Sequence, residues 1–419
     1  MLAETSGASV FPTYKWEMRG IAFLASPLFL QRFTLPFFNM FLSLDFVFTA
    51  LIYIYQFASG RLFIQYDRLL WFLVMALAAT SSLLLNFERA SLTSYFLFLV
   101  LHFLLTPTRP STPEQYKSTL QGFQFLVLIL SCLAIAQFPT QFVVDAGKVI
   151  MFYGIFPDFL LHGGSYATIH PIEGSSFLKS NGIFLVEPST LSQITALGIL
   201  IEVLEFRRPR YLIVVMLGFL VAYSGTGLMT LLLFLPLAGL RHSRAGLSAL
   251  LVIIFSLGLL ATGMIDLSVF LLRAGEFETT GTSGYARFVA PIWLAAKYLD
   301  TASLQALLVG SGPGAANRFI DPWIAGSVSS WLKLFYEYGI IGSFIFVCFV
   351  ASCLRRSRCP GVVIAALIFT DMFLLGFLTT SFLTIIAVLC TLDRADPRRG
   401  RIDEASRYGP SLVAGSAAG

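Results

Sequence analysis

The sequence predicts an all-α protein, a polytopic bundle of about twelve transmembrane helices, each crossing needing roughly 20 apolar residues. Three observations predict it. First, 57% of the residues are hydrophobic and only 12% charged, and mean hydropathy is +0.80, too little polar surface to cover a water-soluble globule of this size. Second, largely apolar stretches recur at about 21–38, 42–59, 67–85, 91–106, 119–138, 189–205, 210–223, 225–240, 247–265, 328–353, 361–376 and 379–392. A helix satisfies its own backbone in hydrocarbon, so such stretches read as spans. Third, the basic residues alternate with them. If the N-terminus is cytoplasmic, nineteen of the 28 Lys and Arg fall on the cytoplasmic side: Lys15, Arg19, Arg61, Arg68, Arg109, Lys117, Arg207, Arg208, Arg210, Arg241, Arg244, Arg355, Arg356, Arg358 and the five arginines from Arg394 to Arg407. That bias in short loops sets orientation, and it puts both termini inside.

Taken in order, the spans differ in quality. The first carries Pro27 and Arg32 and reads as a broken or tilted helix; those at 225–240 and 379–392 are short enough to be half-buried or re-entrant. No cleavable signal peptide is read, because Glu4, Lys15 and Glu17 precede Ile21 without an apolar run. Cys132, Cys348, Cys353, Cys359 and Cys390 fall in spans or on the reducing side, where they read as small hydrophobes rather than a disulfide framework. Residues 1–392 form the membrane domain, and residues 393–419, charged and then small and polar without an apolar period, read as a disordered cytoplasmic tail.

Two connections are far longer than the rest, at about 139–188 and 266–327, and both fall outside the membrane. Neither has linker composition, since each mixes aromatics with glycine turns and apolar stretches. In the second, RFVAPIWLAAKYL reads as an interfacial helix, with Trp293 and Tyr298 at headgroup level or against substrate. In the first, Asn181-Gly182 signals a turn, and Pro188 suits the first turn of a helix with Glu187 at its positive end. Glu187 therefore reads either as a helix start or as a functional carboxylate. The second loop is dense in charge, with Arg273, Glu276, Glu278, Arg287, Lys297, Arg318 and Asp321. Its glycines at 310, 312 and 314 fit neither dinucleotide nor Walker patterns and read as a tight turn before Arg318. His102, His162, His170 and His242 are dispersed, so no metal site is read, and no Gly-x-Ser-x-Gly elbow is present.

Three segments, KSNGIFLVEPS, VAYSGTGLMTLLLFLPL and the run from GYARFVAPIWLAAKYL through LVGSGPG to SSWLKLFYEYGIIGSFIFV, stand in that order around the outer loops. Together they resemble the O-antigen polymerase and ligase superfamily, the Wzy/WaaL-type membrane glycosyltransferases of bacteria, over most of residues 175–345. Ligases of that superfamily usually carry a His-Asn pair where this chain has Val328 and Ser329, which favours a polymerase. The first-loop cation is Lys179 where Arg is common, retaining charge without the bidentate fork.

The resemblance implies a bacterial inner-membrane enzyme that polymerises polyprenyl-pyrophosphate-linked oligosaccharide repeat units on the outer face. Its partners would be that glycan substrate, membrane lipid, a flippase and a chain-length regulator. No nucleic acid, cofactor or metal is implied. Arg287 and Lys179 would hold the donor pyrophosphate, with Arg318 and Arg273 as further cations. Glu187, or failing it Glu337, would deprotonate or orient the acceptor hydroxyl. Glu337 reads equally as an ion-pair partner of Lys333, four residues earlier on one helix. Asp371 lies in an apolar span and faces inward. The alternatives are an O-antigen ligase and a lipid-linked oligosaccharide flippase or other secondary transporter, the last kept open by Asp45 and Asp371.

Overall fold

The computed structural model describes residues 18–37, 40–144, 152, 155–161, 171–172, 177–241, 284–316, 329–375 and 378–395. The ninth sequence-predicted span, at 247–265, and much of both long loops lie outside the described residues. The described chain is mostly helical. Its order is α1 (Met18–Phe29), a hairpin β1 (Thr34–Phe37) and β2 (Met40–Ser43), α2 (Leu44–Ala58), β3 (Phe63–Ile64), α3 (Tyr66–Leu85), α4 (Leu92–Phe103), β4 (Pro107–Ser111) and α5 (Pro113–Thr140). There follow α6 (Pro188–Phe206), α7 (Pro209–Val221), α8 (Gly225–Arg241), α9 (Ala290–Thr301), α10 (Leu304–Val309), α11 (Ser330–Leu354), α12 (Gly361–Leu374), α13 (Thr380–Leu392) and β5 (Asp393–Ala395).

Helix starts follow local chemistry. Thr112 and Gln115 close a capping box at α5, and Pro113, Pro188 and Pro209 occupy first-turn positions where no amide donor is required. Among the described residues four helices, α3, α5, α6 and α11, are long and apolar enough to cross a membrane, and six shorter apolar helices accompany them. The first expected span, 21–38, is broken, and its second half is strand and turn instead of helix. α1 stops at Phe29, and the chain then turns into the β1–β2 hairpin, because Arg32 leaves the helix direction and donates through Nη1 to the Ile183 carbonyl at 2.7 Å.

α6 is the centre of the bundle: its residues from Leu191 to Val203 are buried, packed by α5, α7, α8 and α12. Close approach is made by small residues. A Cβ on Gly198 would stand 2.8 Å from Val127 of α5, and one on Gly218 of α7 would stand 2.6 Å from Ser131. α3 lies at the periphery, packed on α11 while Leu73 and Leu77 are 55% and 68% exposed, an apolar face suited to lipid.

Polar groups tie helix ends. The buried Asp45 carboxylate accepts from Thr380 Oγ1 at 2.9 Å and Ser381 Oγ at 2.5 Å, joining the positive ends of α2 and α13. Glu202, in the π turn that ends α6, takes a two-pronged pair from Arg208, Nε to Oε1 at 3.0 Å and Nη2 to Oε2 at 2.8 Å. At the same end of the bundle β3, β4 and β5 form a small sheet in which β4 and β5 run parallel. The tail expected from residue 393 thus begins with a paired strand, and residues from 396 onward lie outside the described residues.

Candidate active site

The first sequence motif folds into a turn fixed from three sides. Gln137, near the end of α5, accepts through Oε1 from the amides of Asn181 and Gly182, both at 3.0 Å, and donates through Nε2 to Asn181 Oδ1 at 2.9 Å. Asn181 Nδ2 then donates to the Leu185 carbonyl at 2.9 Å. This support holds Ile183 at φ 69°, a left-handed value that a β-branched residue seldom adopts. Arg32 anchors the same residue and lies 4.7 Å over the Phe152 ring. Lys179 and Glu187, the two charged ends of the turn, are half-buried.

Glu187 occupies the N-cap position of α6, but its side chain does not cap the helix amides; Oε2 accepts from Ser189 Oγ at 2.6 Å. Its Oε1 has no hydrogen-bond partner among the described residues. The second motif packs directly beside it. Ser192 Oγ lies 3.2 Å from Thr226 Oγ1, which lies 3.1 Å from Ser224 Oγ, and the Gly227 amide donates to Ser192 Oγ at 3.1 Å. Gly227 is required by contact: a Cβ there would be 2.3 Å from the Ser192 carbonyl oxygen. The two motifs, more than thirty residues apart in sequence, thus make one hydroxyl-lined corner where α6 and α8 begin.

In the third motif Arg287 is half-buried on a π turn, Tyr285–Val289, leading into α9. That turn packs against another π turn, Thr370–Leu374, at the end of α12. The second turn carries the buried Asp371, which has no hydrogen bond or ion pair among the described residues. α12 also packs on α6 and α8, with Phe369 edge-on to Phe234. A single helix therefore adjoins both the Glu187 corner and the Arg287 turn, and Asp371 is its one acidic residue.

Glu337 is placed differently. It is 2% exposed, and the backbone amides of Gly314 and Ala316 hydrogen-bond its carboxylate, with the charge of Lys333 one turn away. The glycine run is therefore a loop wrapped on α11. Gly310, Gly312 and Gly314 stand at φ 91°, 99° and 74°, and the Ser311 amide donates to the Tyr336 carbonyl at 2.9 Å. A Cβ on Gly310 would come within 2.2 Å of the Glu337 carbonyl oxygen, and one on Gly339, at φ 68°, within 2.5 Å of the Leu308 carbonyl oxygen. Tyr298 of α9 donates to the Ala306 carbonyl at 3.0 Å and meets Ser311 Oγ at 2.9 Å; burial raises its phenol above the ordinary value.

The structure thus brings Lys179 and Glu187 into one turn and gives Glu337 amide partners on another face; Arg273 and Arg318 lie outside the described residues. Sequence reasoning gave no site role to Gln137, Ser192 or Thr226 and read Arg32 only as a break in the first span. The signal was their polarity inside or beside apolar spans, without any indication of partner. Among the described residues no group of three or more His, Cys, Asp or Glu could hold a metal.

No curated protein and no solved structure matches the chain. A family model matches residues 42–392, spanning every described helix from α2 to α13, and it favours neither the ligase nor the transporter reading. Over residues 42–392 the chain belongs to the WcaD colanic acid polymerase family, whose activity is the joining of repeat units into an exopolysaccharide.

Proposed function

We propose that the protein is a polymerase of the bacterial inner membrane, an about twelve-helix bundle with both termini cytoplasmic and both long loops outside, each span again taking roughly 20 residues. It extends chains of polyprenyl-pyrophosphate-linked repeat units on the outer face. A flippase would supply these units and a chain-length regulator would set the product length. In the reaction an acceptor hydroxyl attacks the anomeric carbon of the donor glycan. The new glycosidic C–O bond forms as the bond from that carbon to the pyrophosphate oxygen breaks, and the lipid pyrophosphate leaves with the electron pair. Arg287 and Lys179, joined by Arg318 and Arg273, hold the charge that develops on the leaving group. Glu187 takes the hydroxyl proton, with Glu337 as the second choice for that role.

The observation that carries this reading is the corner at the start of α6. A half-buried carboxylate with one oxygen uncommitted within the described fold stands near three hydroxyls, at the end of a turn that also carries the half-buried Lys179. Preorganised groups of this kind supply charge stabilisation without a metal. The exposed apolar face of α9, with Ile292 67% and Trp293 55% exposed, supports its seating at the membrane surface. Asp45, the other acidic residue that kept transport open, is satisfied as a helix-end tie.

The test is extension of purified polyprenyl-pyrophosphate-linked repeat units by the full chain in lipid, with and without excess chelator. Longer glycan on the lipid carrier is expected in both conditions. Loss of turnover restored by one divalent ion would overturn the metal-free step, and no extension in any condition would overturn the substrate.

A further inference from the structure

The end of the bundle away from the candidate site holds a second concentration of charge. Arg68, at the start of α3, is 1% exposed. Its Nη1 donates to the Leu105, Pro107 and Thr391 carbonyls at 3.4, 3.2 and 2.8 Å, where α4 and α13 end. Carbonyl dipoles at helix C-termini suit a cation. Yet Nε and Nη2, equally buried, have no partner among the described residues.

Three more guanidinium groups are brought to it by the backbone. β5 continues directly from Thr391 to Arg394, and Arg394 forms an antiparallel bridge with Ser357, clamping the Arg355–Arg356 turn alongside. Arg356 is held there at φ 67°, a left-handed value with a steric cost. Arg68 feels the charge of Arg394, and Arg394 feels Arg356 and Arg355. Burial, and next Arg356, lowers the Arg394 guanidinium from its ordinary value. The facing carboxylate is Asp67, which is exposed and accepts from Gln65 Nε2 at 3.0 Å. Asp393 is committed elsewhere, to Arg109 at 2.5 and 3.3 Å and to Thr119 at 3.3 Å.

Membrane orientation requires basic residues near the surface; it does not require four of them held together with one buried and short of acceptors. Clustered guanidinium groups with open donors match the oxygens of a phosphate, which accepts forked hydrogen bonds from several of them at once. We propose that Arg68, Arg355, Arg356 and Arg394 form a phosphate-binding site, filled by the headgroup of an anionic phospholipid of the cytoplasmic leaflet. The lipid source is favoured by the flank of the site. Phe63 and Tyr66 are 48% and 77% exposed on β3 and the start of α3, an aromatic surface placed where acyl chains meet headgroups. The cytoplasmic assignment rests on the proposed orientation; the binding chemistry does not.

The test uses the full chain in discs of phosphatidylcholine doped with phosphatidylglycerol, reading retained lipid by native mass spectrometry and the midpoint of thermal unfolding. A second arm adds inorganic phosphate to discs of phosphatidylcholine alone. The variant is Arg356→Ala with Arg394→Ala, whose side chains make no hydrogen bond among the described residues, and the control is Arg210→Ala, an exposed cation outside the cluster. Retention of phosphatidylglycerol by the wild type and by Arg210→Ala, weakened about tenfold in the double variant, is expected, each tenfold step being roughly 1.4 kcal/mol. Stabilisation by phosphate alone, lost in the double variant, would keep the site and overturn the lipid as its source. Equal retention in all three proteins, or no response to either ligand, would overturn the site. No arm measures polymerisation, so failure here is separable from failure of the enzymatic reading.

Discussion

The two carboxylates that the sequence ranks first and second differ in what their oxygens already do. Glu337 accepts from the Gly314 and Ala316 amides in a buried setting, while Glu187 accepts a single hydroxyl from Ser189. Glu337→Gln puts an amide donor where those backbone amides need an acceptor, and it is expected to cost about 1–3 kcal/mol of stability, read as a lower thermal midpoint in detergent. Glu187→Gln should leave that midpoint near wild type and remove polymer. The reverse pattern would exchange the two roles. Arg287→Ala should abolish polymer at unchanged protein level, and Arg287→Lys should retain little activity, since a point charge does not reproduce two directed hydrogen bonds to phosphate oxygens. Loss of one preorganised contact typically costs on the order of 3 kcal/mol, or about a hundredfold in rate. Normal chains from Arg287→Ala in a deletion strain would remove it from the site. The charges of this region are legible in the sequence because ions beside hydrocarbon stand out. Gln137 is not: it sits 44 residues before Asn181 inside an apolar span, and pattern says nothing about which loop its amide serves.

At the scale of elements, glycine contacts separate positions that look alike in sequence. Gly310 and Gly60 both have positive φ, 91° and 65°, but a Cβ meets backbone at 2.2 Å in the first and nothing within 4 Å in the second. Gly60→Ala is expected to cost about 1 kcal/mol, the conformational term alone. Gly310→Ala should lower the thermal midpoint far more and detach the loop from α11, seen as faster proteolysis between α10 and α11. Equal midpoints for the two variants would sink this packing account. The start of α6 was readable because Pro188 acts within one turn, whereas α5 begins at Pro113 on the Thr112–Gln115 box, ahead of the expected 119. The β1–β2 hairpin was not readable, since TLPF and MFLS are short, largely apolar runs that fit strand and helix alike. The π turns at Tyr285–Val289, Thr370–Leu374 and Ala387–Leu392 also follow no sequence period; tertiary packing decides them.

For the whole molecule, composition and basic clusters carried the class, while helix count and sidedness follow from the expected alternation. Single cysteines at Ser175 and Ser283 in a cysteine-free background should react with an impermeant reagent added outside the inner membrane. Reaction only after that membrane is opened would reverse the orientation and remove the site from the outer face. The sheet at the other end has a consequence for how the protein is made. Asp393 pairs with Arg109, 284 residues earlier, while Leu389, Thr391 and Leu392 offer carbonyls to Tyr116, Arg68 and Thr108. The first third of the chain has emerged from the ribosome and entered the bilayer long before these partners exist. Its ends therefore wait, loosely docked, until translation is nearly finished, and the last strand works as a latch. A stop codon after Ala395 should leave a polymerase of normal yield, whereas one after Leu392 should give inserted but protease-sensitive protein that makes no polymer. Equal protease resistance of the two truncations would show that the early helices close without waiting for the end of synthesis.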